Sequence, residues 1–256
     1  MKNWTTPFTL RTKNDNRHFN VNHWILYRLS SWNNYCENGS VNKGELMLPK
    51  LLLTTYLAGA IENNPIVMDK QPETWKDKFE RELAHPLFGI YDPVKREPQK
   101  TGQNCQKANE HFKILKTEGR MKEFDEEFRM IWWGQINPGT DKLSIIQAIR
   151  NDFRLRGNTR ADFEEWADYQ AVIRSDFICA YLTKDTKTVG THKEIHTAYL
   201  LNIPVFLIMP DENIIGINST LLNEVRDSGG NQFFGETAID DCINYIKTTY
   251  KIWENR

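Results

Sequence analysis

The sequence predicts a doubly wound α/β protein on a mainly parallel sheet, with a helical insert and an N-terminal appendage. Three observations predict it. Leu51 to Ala60 is a near-continuous apolar run, as expected for a strand buried on both faces. Ser175 to Pro210 carries two more such runs, Phe177–Leu182 and Ile203–Met209, joined by helix-compatible residues from Thr191 to Leu201. That spacing suits one parallel crossover unit. Further helical and apolar segments alternate on either side, which is the order of a flavodoxin- or Rossmann-like sheet.

Residues 1–49 are polar and aromatic, with Trp4, Phe8, Phe19, Trp24, Tyr27, Trp32 and Tyr35. Turn signals fall at Asn14–Asn16 and Glu37–Ser40. This segment reads as an appendage that packs through its rings, and residues 50–256 as the α/β domain. The first strand ends in Ala58-Gly59-Ala60, small residues that let a ligand approach the backbone. A loop follows to Gln71. A helix then runs from Pro72 through Trp75, Phe79 and Leu83 until His85-Pro86 breaks it. Gly89 to Asp92 reads as a second short strand.

Residues 94–158 form the insert. Lys95 to Asn109 reads as a polar stretch with Pro98 and Gly102, Glu110 to Trp133 as helix-like, and Leu143 to Phe153 as a further apolar-bearing segment. Arg150, Arg154, Arg156 and Arg160 make a basic run, either a solvated face or a phosphate contact. Thr159 to Ser175 reads as a single helix with Phe163, Trp166, Val172 and Ile173 inward. After Pro210 come a loop, a short helix, an edge strand at Gln232–Phe234 and a terminal amphipathic helix from Ala238 to Lys251.

Composition excludes several classes. Over 256 residues the net charge is −1, which gives no global attraction to nucleic acid or to an anionic membrane. No apolar run approaches the roughly 20 residues of a membrane span. The N-terminus lacks the apolar core of a signal peptide, so a cytoplasmic location is expected. Cys36, Cys105, Cys179 and Cys242 are widely spaced without a CxxC pair, which reads as reduced thiols. Walker A, GxGxxG, GxSxG and HExxH patterns are all absent from the sequence. His192 and His196 share one helix face at i, i+4, but solvated or packed imidazoles account for them more simply than a metal site. No cofactor and no metal are expected.

Four polar features fall where strands end or helices start: Tyr56 with Gly59 and Glu62, Asp92, Asp168 followed by Asp176, and Gly190-Thr191 with Glu194. In open α/β sheets ligands bind at the carboxyl ends of the strands. Gly190 permits a tight turn, free helix N–H groups face the ligand, and Glu194 follows one turn in. Taken alone, such a glutamate reads as a capping or dipole-stabilising residue.

In order and spacing, residues 51–210 resemble the nucleoside 2-deoxyribosyltransferase family, including N-glycosidase relatives that cleave deoxynucleoside monophosphates. The residues that carry the resemblance are Tyr56-Leu-Ala-Gly-Ala-Ile61, Trp75 in the first helix, Asp92-Pro93, Asp168 eight residues before Asp176, and Val189-Gly-Thr-His-Lys-Glu194 followed by Ile203-Pro-Val205. The resemblance implies Glu194 as the nucleophile that attacks the anomeric C1′ and holds a glycosyl ester. It implies Asp168 as the acid that positions the sugar or protonates the leaving base, and Tyr56 as the hydroxyl beside the nucleophile. Gly59, Ile61, Glu62, Trp75, Asp92, Gly190 and Thr191 would bind substrate. Retaining logic follows, with a carboxylate nucleophile and an oxocarbenium-like transition state. The chain departs from the family pattern at Thr188, where some transferases carry an acid that reads the base, and at His196, often Gly, where an imidazole would crowd the helix packing.

The resemblance also implies a nucleoside or nucleotide substrate, a second base as acceptor in the transferase case, and a homo-oligomer; nucleic acid and membrane are not expected partners. Two other readings stand beside it. One is a nucleotide-binding or sensing module without turnover. The other is an enzyme that cleaves NAD at its glycosidic bond, also through a glutamate.

Overall fold

A computed structural model describes residues 50–59, 74–96, 105–134, 136, 139–183, 189–211 and 218–253. The chain divides into two units, Met1–Gly39 and Ser40–Arg256, and the described residues belong to the second.

The core is a five-stranded sheet, all parallel, in the order β3-β2-β5-β6-β7. Its strands are β2 (Leu53–Ala58), β3 (Phe88–Tyr91), β5 (Phe177–Tyr181), β6 (Val205–Met209) and β7 (Asn231–Phe234). Every residue of β2 and β6 is buried, as the unbroken apolar runs require. Full burial of each Leu, Ile or Val contributes roughly 1.5–3 kcal/mol.

Strand alternation sorts the core into two faces. Tyr56, Ala58, Ile178, Ala180, Val205 and Leu207 point to one face and pack with Ala171, Val172, Ile195, Ala198, Leu221 and Val225. Those partners come from α6 (Asp168–Ile173), α7 (Val189–Leu200) and α8 (Ser219–Asp227). The other face is largely aromatic. Phe177 stacks on Phe88 and on Tyr250, and Phe206 meets Tyr245 edge-on. It is covered by α9 (Ala238–Tyr250), which packs beside α1 (Trp75–Glu82). Cys179 and Cys242 lie within the core as free thiols.

Caps explain the helix starts. Thr74 and Asp77 form a reciprocal capping box at α1. Thr159 and Asp162 repeat it at α5 (Arg160–Glu165). At the N-terminal edge of the sheet, Asp176 Oδ2 accepts from the Thr54 amide at 2.7 Å and the Thr54 hydroxyl at 3.0 Å. The same hydroxyl accepts from Asn158 Nδ2 at 3.1 Å. This buried network ties β2 to β5.

The insert is helical: α2 (Cys105–Thr117), α3 (Met121–Trp132) and α4 (Lys142–Arg156). Aromatic rings run along it. Phe112 meets Phe124, Phe124 stacks on Phe128, and Phe128 on Trp132, whose ring lies 5.6 Å from Tyr169 of α6. Arg150 caps the end of α6 through the carbonyls of Ile173 and Ser175 at 2.9 and 2.8 Å.

Four sequence expectations are corrected. The first apolar run is split at Leu52, whose amide bonds to the Leu87 carbonyl at 2.8 Å. Its first part, β1 (Lys50–Leu51), pairs antiparallel with β4 (Asn158–Thr159) in a separate ribbon. The expected helix 110–133 is two helices, because Gly119 adopts a left-handed φ of 72° between them. The upstream helix starts at Cys105, before the expected Glu110 and within the polar stretch. The expected helix 159–175 breaks at Trp166–Ala167, which are extended (φ −72°, ψ 142° and φ −78°, ψ 159°), so Asp168 begins a new helix.

Candidate active site

Register places the first two side chains of the candidate site. Tyr56 on β2 is directly opposite Tyr91 on β3, and parallel strands send both to the same face. The rings stack at 5.5 Å and 16°. Above them stand α6 and α7. Tyr169 of α6 and Thr197 of α7 share a short hydrogen bond, and Gln170 bonds to the Trp133 carbonyl at 3.2 Å. The insert thus braces the helix that carries Asp168 against the helix that carries Glu194.

The Tyr56 hydroxyl donates to Glu194 Oε1 at 2.6 Å. Tyr56 is fully buried and Glu194 only 5% exposed. Burial pushes the Glu194 carboxyl up from 4.5 to about 7; the Tyr56 hydrogen bond lowers it, Asp168 raises it further, and Lys76 lowers it. Burial is also the main reason the Tyr56 phenol is raised well above its usual value, with Glu194 and Asp168 adding to it. Tyr91 is raised by burial and then by Asp168. Its hydroxyl lies 3.0 Å from the Trp166 carbonyl and 3.1 Å from Asp168 Oδ1.

Asp92 follows β3 directly and is 3% exposed. Its Oδ1 accepts from Lys76 Nζ at 2.7 Å and from the Val94 amide at 3.0 Å. Lys76 is itself 7% exposed, so this is a buried ion pair beside the site. At the carboxyl edge of the sheet, Trp75 stacks on Tyr181 at 5.2 Å and 11°. Gly59 makes room for it, since a Cβ there would lie 3.3 Å from Trp75 Cζ2. The close approach expected at Gly59 is therefore made by the indole of Trp75.

The structure brings Tyr56, Asp168 and Glu194 together, with Asp92 joined through Lys76. Thr191 is buried within α7. Gly190 lies in the first helical turn, because α7 starts at Val189, two residues before the expected start. Among the described residues a Cβ on Gly190 would meet nothing within 4 Å, and Gly190 itself is helical where a tight turn was expected. Glu194 accordingly sits in the second turn, too deep in the helix for an N-terminal cap. Asp176, at the opposite edge of the sheet, is a latch on Thr54 rather than part of the site. Ile61, Glu62 and Thr188 lie outside the described residues. His196 is exposed and pairs with Glu224 at 2.8 Å, so it does not crowd the helix. In the basic run, Arg156 pairs with Asp152, while Arg150 and Arg160 bond to backbone carbonyls.

Two site residues escaped the sequence reading. Lys76 precedes Phe79 and Leu83 by three and seven positions, on the same inward face of α1, and that spacing was the available signal. Tyr91 was readable only from its cross-strand partner Tyr56. No helix among the described residues is long and apolar enough to cross a membrane. No family model, no curated protein and no solved structure matches the chain.

Proposed function

We propose that the chain is a glycosyl-transfer enzyme acting on the N-glycosidic bond of a (deoxy)nucleoside or nucleotide, as a deoxyribosyltransferase or an N-glycosidase. The observation that carries this reading is the 2.6 Å hydrogen bond from Tyr56 to the buried Glu194. A carboxylate out of water is a strong base and nucleophile held in one orientation. With a carboxyl near 7, a substantial fraction is ionised at neutral pH. A buried carboxylate also stabilises the positive charge that develops at C1′.

In the first step a Glu194 oxygen forms a bond to C1′ as the C1′–N bond breaks. The electron pair of that bond goes to the base, and Asp168 supplies a proton to the base nitrogen. The product is a glycosyl ester on Glu194. Water or a second base then attacks C1′ from the face the first base left, which gives net retention. Trp75 and Tyr181 offer an aromatic wall at the carboxyl edge of the sheet, suited to a flat heterocycle. An assembly of several copies belongs to the same reading, and light scattering of the purified protein decides it.

The test is release of free base from a panel of deoxynucleosides, their 5′-monophosphates and NAD, with and without an acceptor base. The reading expects release by the wild type and none by a folded Glu194→Gln protein. Base release that survives in Glu194→Gln sinks the nucleophile. Nicotinamide release alone transfers the same site to NAD, and tight binding of a nucleotide without turnover favours a sensing module.

A further inference from the structure

The Tyr91 hydroxyl stands between two acceptors, the Trp166 carbonyl at 3.0 Å and Asp168 Oδ1 at 3.1 Å. A phenol carries one proton, and a backbone carbonyl can only accept. A neutral Asp168 keeps its proton for the base and presents only an uncharged oxygen to Tyr91, no stronger an acceptor than the Trp166 carbonyl. A charged Asp168 can only accept, and a charge-assisted hydrogen bond is roughly twice as strong as a neutral one. The hydroxyl then turns to Asp168. Its ring is held in place meanwhile, fully buried and stacked on Tyr56. The second acceptor exists because Trp166 is extended between two helices.

We propose that Tyr91 is a positioning residue of the acid step, its hydroxyl turning from the Trp166 carbonyl to Asp168 as the Asp168 proton leaves for the base. This rests on the glycosidic reading above. When the C1′–N bond breaks, its electron pair stays on the base nitrogen and the Asp168 proton joins it. The new Asp168 carboxylate gains the Tyr91 hydrogen bond, so charge forms where a donor is already aimed. Tyr91 exchanges no atom.

Other ionisable groups face this pair. Tyr56 of β2 and Glu194 of α7 act on Asp168, while Arg96 and Asp92, beyond the end of β3, act on Tyr91. Lys76 of α1 pairs with Asp92. The test must separate Asp168 from all of them.

Protein labelled with carbon-13 at the tyrosine Cζ gives a Tyr91 resonance, assigned by its loss in Tyr91→Phe. The expected result is a step in this resonance with pH in the wild type that is absent in Asp168→Asn, where the remaining ionisable groups are intact. A resonance flat in the wild type, or stepping equally in both proteins, overturns the proposal. Kinetics supply a second readout. Tyr91→Phe is expected to lower kcat by roughly tenfold or more on a deoxynucleoside, within the factor a general acid supplies. On a deoxyribosyl fluoride, which departs without a proton, the loss stays within about twofold. Equal losses on both substrates mark a merely structural tyrosine and overturn the proposal. A wild type that cleaves neither substrate overturns the glycosidic reading and the acid step with it. A wild type that cleaves both while the resonance stays flat overturns the role of Tyr91 alone.

Discussion

Tyr56 and Tyr91 lie opposite each other on adjacent parallel strands, with rings 5.5 Å apart, and their hydroxyls reach different carboxyl groups. Tyr56 bonds to Glu194 and Tyr91 to Asp168. One register thus aims two donors at two acids. A slip of one residue in either strand would turn its tyrosine to the other face of the sheet and leave that tyrosine's carboxyl without it.

The pH profile follows from the Glu194–Tyr56 bond. On the proposed glycosidic reading the attacking form of Glu194 is the ionised one, so kcat/KM is expected to rise with pH through an acid limb near 7. The Tyr56 hydrogen bond lowers the Glu194 carboxyl from where burial alone would put it. Tyr56→Phe should therefore move the acid limb to higher pH as well as reduce the plateau. A limb that stays in place in Tyr56→Phe would show that another group controls it.

Stability carries the same titration with the opposite sense. The folded Glu194 carboxyl is raised to about 7 from 4.5, so the native state binds the extra proton between those values. The neutral carboxyl's favourable contribution is present below 4.5 and lost as pH rises through about 7. Glu194→Gln has no charge to bury. Above pH 7 it should be more stable than the wild type by on the order of 3 kcal/mol, and close to it at pH 4. Urea unfolding of both proteins at the two pH values measures this; parallel pH dependences would contradict it.

Lys76 and Asp92 are a buried pair, so removing one leaves the other charged and unpartnered. Lys76→Met is expected to cost about 3–5 kcal/mol, and Lys76→Met with Asp92→Asn to regain much of it. Because Lys76 also lowers the Glu194 carboxyl, activity left in Lys76→Met should show its acid limb at higher pH. A double-mutant cycle by chemical unfolding reads the pair; additive losses would mean the two side chains are not coupled.

Gly230 approaches the backbone of β6 so closely that a Cβ there would lie 1.9 Å from the Val205 carbonyl oxygen. That distance can be relieved only by moving β7 off the sheet. Gly230→Ala should destabilise the protein by about 3 kcal/mol or more, and hydrogen exchange should show β7 and α9 opening first. Protection in β7 equal to the wild type's would refute it.

The sheet was legible because parallel strands covered on both faces leave unbroken apolar runs, and Leu53–Ala58 and Val205–Met209 are such runs. The break at Trp166–Ala167 was not legible, because neither residue stops a helix by itself. Tertiary contacts hold it: the Trp166 carbonyl takes the Tyr91 hydroxyl and the Arg174 guanidinium lies over the Trp166 ring at 5.3 Å. Gly119 offered a signal, but the apolar spacing of Phe112, Leu115, Phe124 and Phe128 continues through it and suggests one helix. By its local pattern Glu194 was one glutamate near a helix start, and only the ordered set of Tyr56, Asp92 and Asp168 singled it out. Its burial under Tyr56 depends on a contact between residues 138 apart, and no local pattern encodes that.

The central pairing of β2 with β5 joins Thr54 to Asp176 across 122 residues. Its consequence is temporal. As the chain leaves the ribosome, β2 has β3 on one edge while its other edge waits for β5 to be made. The helices between 105 and 156 close on local contacts and can form during that interval. The ladder between β2 and β5 closes only when the long loop between them closes, so the pairing that holds Tyr56 under Glu194 is expected among the late steps of folding.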